Sequence, residues 1–213
     1  MQATARGTSG RDKAYEFLRR TVLTDPAMEG AFISEQDVAE QVGVSRTPVR
    51  EALLQLAAED LVQLVPNRGA YVAPLSGRDL RELFELRGMM ERFAAHKIIT
   101  FRRPAPVDEM REVIKQQRAT TADHEFITLD HHFHSLMVDA AGNAMLSKAY
   151  ANLRARQIRA GLIALSRSAD RQHKVLSEHD AIVRALASYD LDSALVAIDY
   201  HHQKTLELQL TAT

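Results

Sequence analysis

The chain contains no cysteine among its 213 residues. That excludes disulfides and thiolate metal sites together, so any metal must be held by nitrogen and oxygen ligands. There is no run of about 18 apolar residues, the length a bilayer-crossing helix needs, and the opening stretch MQATARGTSGRDK has no apolar core of the signal-peptide kind. A cytoplasmic protein with no membrane partner is expected. Charge imbalance is also missing: a formal net charge of -1 gives no global attraction for nucleic acid, so DNA binding would have to rest on a local patch. Histidine is absent from the first 95 residues, and all nine histidines fall at His96 or beyond, which points to two regions with different tasks. A hydrophobic content of 46% is ample for the cores of one large domain or two smaller ones.

Residues 1–10, rich in Ser, Thr, Gly and Ala, read as a disordered tail. Apolar residues from Ala14 to Leu23 recur at helical spacing. Ser34 and Asp37 then suit a capping box for a helix over EQDVAEQV, which Gly43 ends where positive φ is wanted. A second helix is predicted from Arg46 to Asp60. LVQLV and AYVAP, separated by Pro66, Asn67, Arg68 and Gly69, have the chemistry of a β-hairpin. Residues 75–79 read as a linker in which Ser76 and Asp79 start the next helix, and beyond it six helices are predicted: 77–101, 107–120, 123–140, 144–166, 171–188 and 191–210. The fold class expected is mainly α, a winged helix-turn-helix over 11–74 with a small hairpin wing, followed by an all-helical bundle over 80–213.

Ala39, Gly43 and Val49 have helix-turn-helix spacing, with Val38, Val42, Val44 and Ala52 available for the shared core. A helical hairpin in an ordinary all-α protein has the same spacing. Arg46, Thr47 and Arg50, however, open the second helix on its polar side, where a recognition helix meets base edges and phosphates. A hairpin with Asn67 and Arg68 at its tip follows, which is the layout of a winged helix. The stretch VGVSRTPVREALLQLAAEDLVQLVPNRGAYVAPLS resembles the winged-helix segment of GntR-type bacterial transcription regulators, and the resemblance covers residues 12 to 76. It implies DNA contacts from Ser45, Arg46, Thr47 and Arg50, with Arg68 and Gly69 contributing from the wing. The family often has SER where this chain has SEQ, so Gln36 replaces a phosphate-binding arginine.

The stretch LDHHFHSLMV, residues 129–138, decides the chemistry of the second region. At about 100° per residue, Asp130 and His134 lie about 40° apart on one face, at the edge of an apolar arc that includes Phe126, Phe133 and Met137. His132 points to nearly the opposite side, and His131 lies between. His179 falls within a stripe of Val175, Ile182, Val183 and Leu186, and His201 within one of Ala194, Ala197, Ile198 and Leu208, whereas His202 is turned about 100° away. A lone inward histidine is most simply a hydrogen-bonded core residue. One carboxylate and three imidazoles facing inward in one small bundle instead suit a divalent ion, Zn²⁺ or Ni²⁺ ahead of Mn²⁺ or Fe²⁺.

Residues 77–213 resemble the FCD effector domain of the FadR-like GntR branch, in its shorter six-helix form. LDHHFH and EHDAI correspond to its motifs, and His201 follows His179 at the family's interval. The resemblance implies Asp130, His134, His179 and His201 as metal ligands and places Arg87 toward the cavity, where it can pair with an acidic effector; an ordinary salt bridge from Arg87 to Glu91 stands equally open. What it implies overall is no enzyme but a homodimeric repressor of a pseudo-palindromic double-stranded DNA operator, released by a small carboxylate metabolite. A regulator in which the ion is the signal, and a metal-dependent hydrolase, are the alternatives.

Overall fold

The computed structural model describes residues 9–59, 61–66 and 68–210. The chain divides after Pro74 into two compact units. In the first, α1 (Gly10–Phe17) is opened by Ser9, whose side chain accepts from the Asp12 backbone N–H, and it continues as a wider π-type turn over Leu18–Val22. Of the expected tail, Ser9 and Gly10 therefore belong to a helix start, and residues 1–8 lie outside the described residues. The same is true of Asp60 and Asn67.

Helices α2 (Glu35–Val42) and α3 (Arg46–Ala58) form the tight pair the spacing predicts. Ser34 Oγ accepts from the Asp37 N–H, and Gly43 ends α2 in the left-handed region at φ 71°. Val38, Ala39, Val49, Ala52, Leu53 and Leu56 are buried, as are Ala14 and Leu18 of the first helix. The Tyr15 hydroxyl, 2.9 and 2.8 Å from the two carboxylate oxygens of Glu59, ties α1 to the end of α3.

The wing is a hairpin of β2 (Gln63–Val65) and β3 (Gly69–Tyr71), with an unexpected third strand, β1 (Phe32–Ile33), on the far side of β3. All pairings are antiparallel, and Phe32 stands opposite Tyr71. A two-residue strand carries no alternation for a sequence reading to detect; it exists because β3 offers it an edge.

In the second unit, α4 (Gly77–Thr100) starts with a full capping box between Ser76 and Asp79, so residues 77–79 of the expected linker are already its first turn. It is followed by α5 (Val107–Ala119), α6 (Asp123–Ala140), α7 (Ala144–Asn152), α8 (Arg154–Ser166), α9 (Arg171–Ser188) and α10 (Leu191–Leu210). Helix α4 packs on α6 and α10, α5 on α6 and α9, and α8 on α6. The main core contains Ile98, Met110, Phe133, Met137, Tyr150 and Ile182. The single helix expected over 144–166 is two helices broken at Leu153, so this unit has seven among the described residues. Leu153 N–H donates to Tyr150 C=O, tightening the last turn, and the bend lets Leu153 pack on the cluster of Leu80, Leu83 and Phe84.

Two glycines separate backbone strain from steric exclusion. Gly43 has positive φ but open space around the place a Cβ would take, whereas Gly69, at φ 88°, would drive a Cβ into the carbonyl oxygen of Ile33. Gly43→Ala is expected to cost about 1 kcal/mol and Gly69→Ala about 2–3 kcal/mol in chemical denaturation followed through the first unit. Equal costs would mean that the wing yields freely at Gly69.

Candidate functional site

In the first unit, Ser45 is the residue before α3, and Ser45, Arg46, Thr47 and Arg50 are all exposed at its start. Arg46, Arg50, Arg68 and Gly69 line one open groove of about 690 Å³ between α3 and the wing, with Gln36 beside them. Arg68 lies over the Phe32 ring, 5.5 Å from its centroid, so the wing arginine is braced by the extra strand. Gly69 serves the turn itself, as its φ and its approach to Ile33 require. Gln36 donates to Glu40 at 3.1 Å; it supplies no cation.

One residue in this groove escaped the sequence reading. Glu35, in the first turn of α2, accepts from Arg50 Nε and Nη2 at 3.0 and 3.2 Å and from Arg46 Nη2 at 3.2 Å. Its side chain is only 12% exposed while the two arginines are 64% and 67% exposed. The hydrogen bond from Arg50 holds its carboxyl below the usual range, so it stays anionic.

In the second unit, α6 contributes Asp130 and His134, α9 contributes His179, and α10 contributes His201. Each offers one ligand atom, and the four atoms lie within 4.8 Å of one another. The imidazole centroids form a triangle with sides of 5.1, 4.9 and 5.1 Å. All four residues are buried, His134 and His179 completely. Phe133 stacks on the His179 ring at 3.9 Å and fixes its plane.

The hydrogen-bonding partners determine which ring nitrogen is free. Gln117 donates its amide N–H to Phe126 C=O at 3.3 Å, so its oxygen faces His179 Nδ1 at 2.9 Å. Glu178 Oε2 lies 2.8 Å from His201 Nδ1. Glu91 Oε2 lies 2.8 Å from His134 Nδ1, outside hydrogen-bond alignment. The acceptors at His179 and His201 Nδ1 assign the ring protons there and leave those Nε2 lone pairs facing inward, and the Glu91 carboxylate beside His134 Nδ1 favours the same tautomer for that ring. The three Nε2 atoms are buried without a hydrogen-bond partner. Asp130 Oδ1 stands 3.2 Å from His179 Nε2, again unaligned, so acceptor faces acceptor. Burial pushes the His134 imidazole down to about 4 and His201 well below its ordinary value; these rings are neutral. A cation is what this donor set lacks, and a divalent ion fits it.

Arg87 is buried and pairs with Glu91 at 2.7 Å, while its Nη2, 3.8 Å from Asp130 Oδ2, has no hydrogen-bond partner. The salt bridge to Glu91 is thus present, and Nη2 is left as a spare donor near the ligands. Glu91 is the node of the network, also accepting from Tyr150 at 2.7 Å and lying 3.1 Å from His202 Nε2. His202, turned away on the helical wheel, is in fact buried against α4 with its ring edge-on to Phe84. His131 is buried with Gln157 as partner, and His132 is exposed. Beside the ligands is a small cavity of about 10 Å³, lined by Arg87, Asp130, Arg171, His201 and Thr205 and otherwise largely apolar. Arg171, buried and doubly bonded to Glu178 at 2.6 and 2.7 Å, also went unforeseen.

Residues 11–72 match the family model of bacterial regulatory proteins, gntR family, and residues 82–204 match the FCD domain model. The chain belongs to the GntR family. It is a DNA-binding transcription regulator with a winged helix-turn-helix and an FCD domain, and its family consists of regulators, not enzymes. Among relatives, an HTH-type transcriptional regulator from an unstable DNA locus of Streptomyces ambofaciens is 31% identical over 93% of this chain and 84% of its own. The transcriptional repressor RspR of Escherichia coli K12 is 28% identical over 91% and 86%. A solved GntR regulator of Rhodococcus sp. RHA1 shares the fold, with a TM-score of 0.82 at 22% identity over 95% of this chain and 98% of that one. No helix among the described residues is long and apolar enough to cross a membrane.

For a GntR protein the position of Glu35 matters because its carboxylate offsets one of the two arginine charges gathered at the start of α3, and positive charge is what draws a DNA backbone. Glu35→Gln is expected to tighten binding to random-sequence duplex several-fold at low salt, read by fluorescence anisotropy. Unchanged or weaker binding would show that Glu35 chiefly positions the arginines.

Proposed function

We propose that this GntR protein is a cytoplasmic homodimeric repressor, that its two winged helices grip a pseudo-palindromic operator, and that a small carboxylate bound at a metal site in the FCD domain releases it. The two-fold symmetry of a dimer sets the half-sites. Ser45, Arg46, Thr47 and Arg50 meet the major groove and Arg68 the backbone beside it. Asp130, His134, His179 and His201 hold the ion, zinc or nickel ahead of manganese or iron, as the nitrogen-rich donor set favours.

The observation that carries the metal reading is the set of three buried Nε2 atoms without hydrogen-bond partners, two of them on rings held through Nδ1 by Gln117 and Glu178, gathered with a carboxylate. A bound ion would supply a Lewis-acidic place for an effector oxygen. Arg87 Nη2, buried without an acceptor, is placed to hold the same carboxylate. The cavity at the ligands has room for about one water. An effector must therefore be taken up with side-chain rearrangement, and differential affinity for two arrangements is what regulation requires. The same small volume favours a second reading, in which the ion itself is the signal.

His134→Ala and His179→Ala are expected to lose bound metal while His132→Ala keeps it, by elemental analysis of purified protein. Equal metal in all three would remove the site. Operator affinity followed while metal is titrated at fixed carboxylate, and carboxylate at fixed metal, separates the two readings: a response to metal with none to any carboxylate leaves only the metal sensor.

A further inference from the structure

The groove of the winged helix constrains what Arg50 can read, on the reading that Arg46 and Arg50 meet DNA. A guanidinium carries two edges of paired N–H groups: a side edge formed by Nε and Nη2, and an end edge formed by Nη1 and Nη2. Glu35 takes the side edge of Arg50 with both its oxygens, Oε1 accepting from Nε at 3.0 Å and Oε2 from Nη2 at 3.2 Å. Among the described residues nothing accepts from the Nη1 of Arg50, and Leu54, Leu64 and Val65 give the same groove an apolar side. The end edge is therefore the one fork that Arg50 has left to offer.

The same carboxylate also accepts from Arg46 Nη2 at 3.2 Å, so one anion holds both cations at the start of α3. Toward phosphate this is a loss, because it offsets positive charge that a DNA backbone would attract. Gln36 beside it donates to Glu40 and restores none of that charge. The loss applies to every duplex alike, since all present the same phosphates. The gain is confined to sequences in which one base offers two acceptors to the free end edge, and in the major groove guanine does so through O6 and N7.

We propose that Glu35 is a positioning residue that sets sequence specificity. By occupying the side edge of Arg50 it commits the end edge to a guanine, and by offsetting charge it weakens the hold on phosphate. Discrimination between sequences then exceeds what the two arginines would give alone, because the wrong sequences are penalised as well as the right one favoured. Lysine cannot stand in for Arg50, since an ammonium has no fork to divide between Glu35 and a base.

The test starts by selecting a preferred duplex from a randomised pool with the full chain. Its affinity and that of a shuffled duplex of the same composition are then measured by fluorescence anisotropy at fixed salt. Glu35→Gln keeps the shape of the side chain but removes its charge and one of its acceptors. It is expected to bind the shuffled duplex several-fold more tightly, while the ratio of preferred to shuffled affinity falls roughly tenfold. Deazaguanine, which lacks the N7 acceptor, is then placed at each guanine of the preferred duplex in turn. At one guanine or more it is expected to cost the parent roughly tenfold in affinity, and to cost Glu35→Gln and Arg50→Lys much less. Full discrimination in Glu35→Gln would overturn the inference and leave Glu35 as a charge alone. Equal loss of affinity for both duplexes would also overturn it, making Glu35 a support without influence on sequence. A preferred duplex indifferent to deazaguanine at every position would overturn the guanine assignment from the parent protein alone, even if Glu35→Gln failed to fold. Should Arg46→Ala and Arg50→Ala both bind the preferred duplex as the parent does, the reading of these arginines as DNA contacts would itself fall.

Discussion

Three imidazole lone pairs and a carboxylate oxygen turned toward one another inside a helical bundle are a costly arrangement in the absence of a cation. Each Nε2 is buried without a donor, and Asp130 Oδ1 faces one of them at 3.2 Å. Leaving a buried acceptor unpaired costs on the order of 1–3 kcal/mol, and here several such costs share one place. Much of the surrounding structure maintains this geometry. Gln117 is buried to hold His179, Glu178 is anchored by Arg171 to hold His201, and Glu91 is held by Arg87 and Tyr150 beside His134. Such support fits a site that gains a divalent ion, and a divalent ion on four helical residues in turn ties α6, α9 and α10 together.

A related pattern occurs in the winged helix. Arg46 and Arg50 are exposed, but Glu35 gathers them from the base of α2. In both places a carboxylate fixes long cationic or polar side chains before any ligand arrives, which lowers the conformational entropy lost on binding. The wing adds a rigid element, with Arg68 over Phe32 and Gly69 packed too closely against Ile33 to bear a side chain.

The helical faces of single elements were legible in the sequence because one period governs one helix. That is why Asp130 and His134 separate cleanly from His132, and why the capping residues Ser34 and Ser76 mark their helices. Relations between helices were less legible. Gln117 shares a buried face with Val113 and Ile114 and was therefore detectable as an inward polar residue, but nothing in the spacing says that it meets His179. His202 is buried because α10 packs closely on α4, a matter of helix packing that a wheel drawn for one helix does not contain. The break at Leu153 and the strand Phe32–Ile33 were hidden for the same reason, since each exists through a tertiary partner.

The central claim is that the buried cluster is a metal site built from three Nε2 atoms and Asp130. X-ray absorption at the metal edge of the purified, metal-loaded protein tests it directly. The account predicts a first shell of nitrogen and oxygen at about 2.0–2.2 Å with the outer-shell scattering of three imidazoles. A spectrum with one imidazole or none, or a chain that retains no ion after purification and binds none on addition, would contradict it.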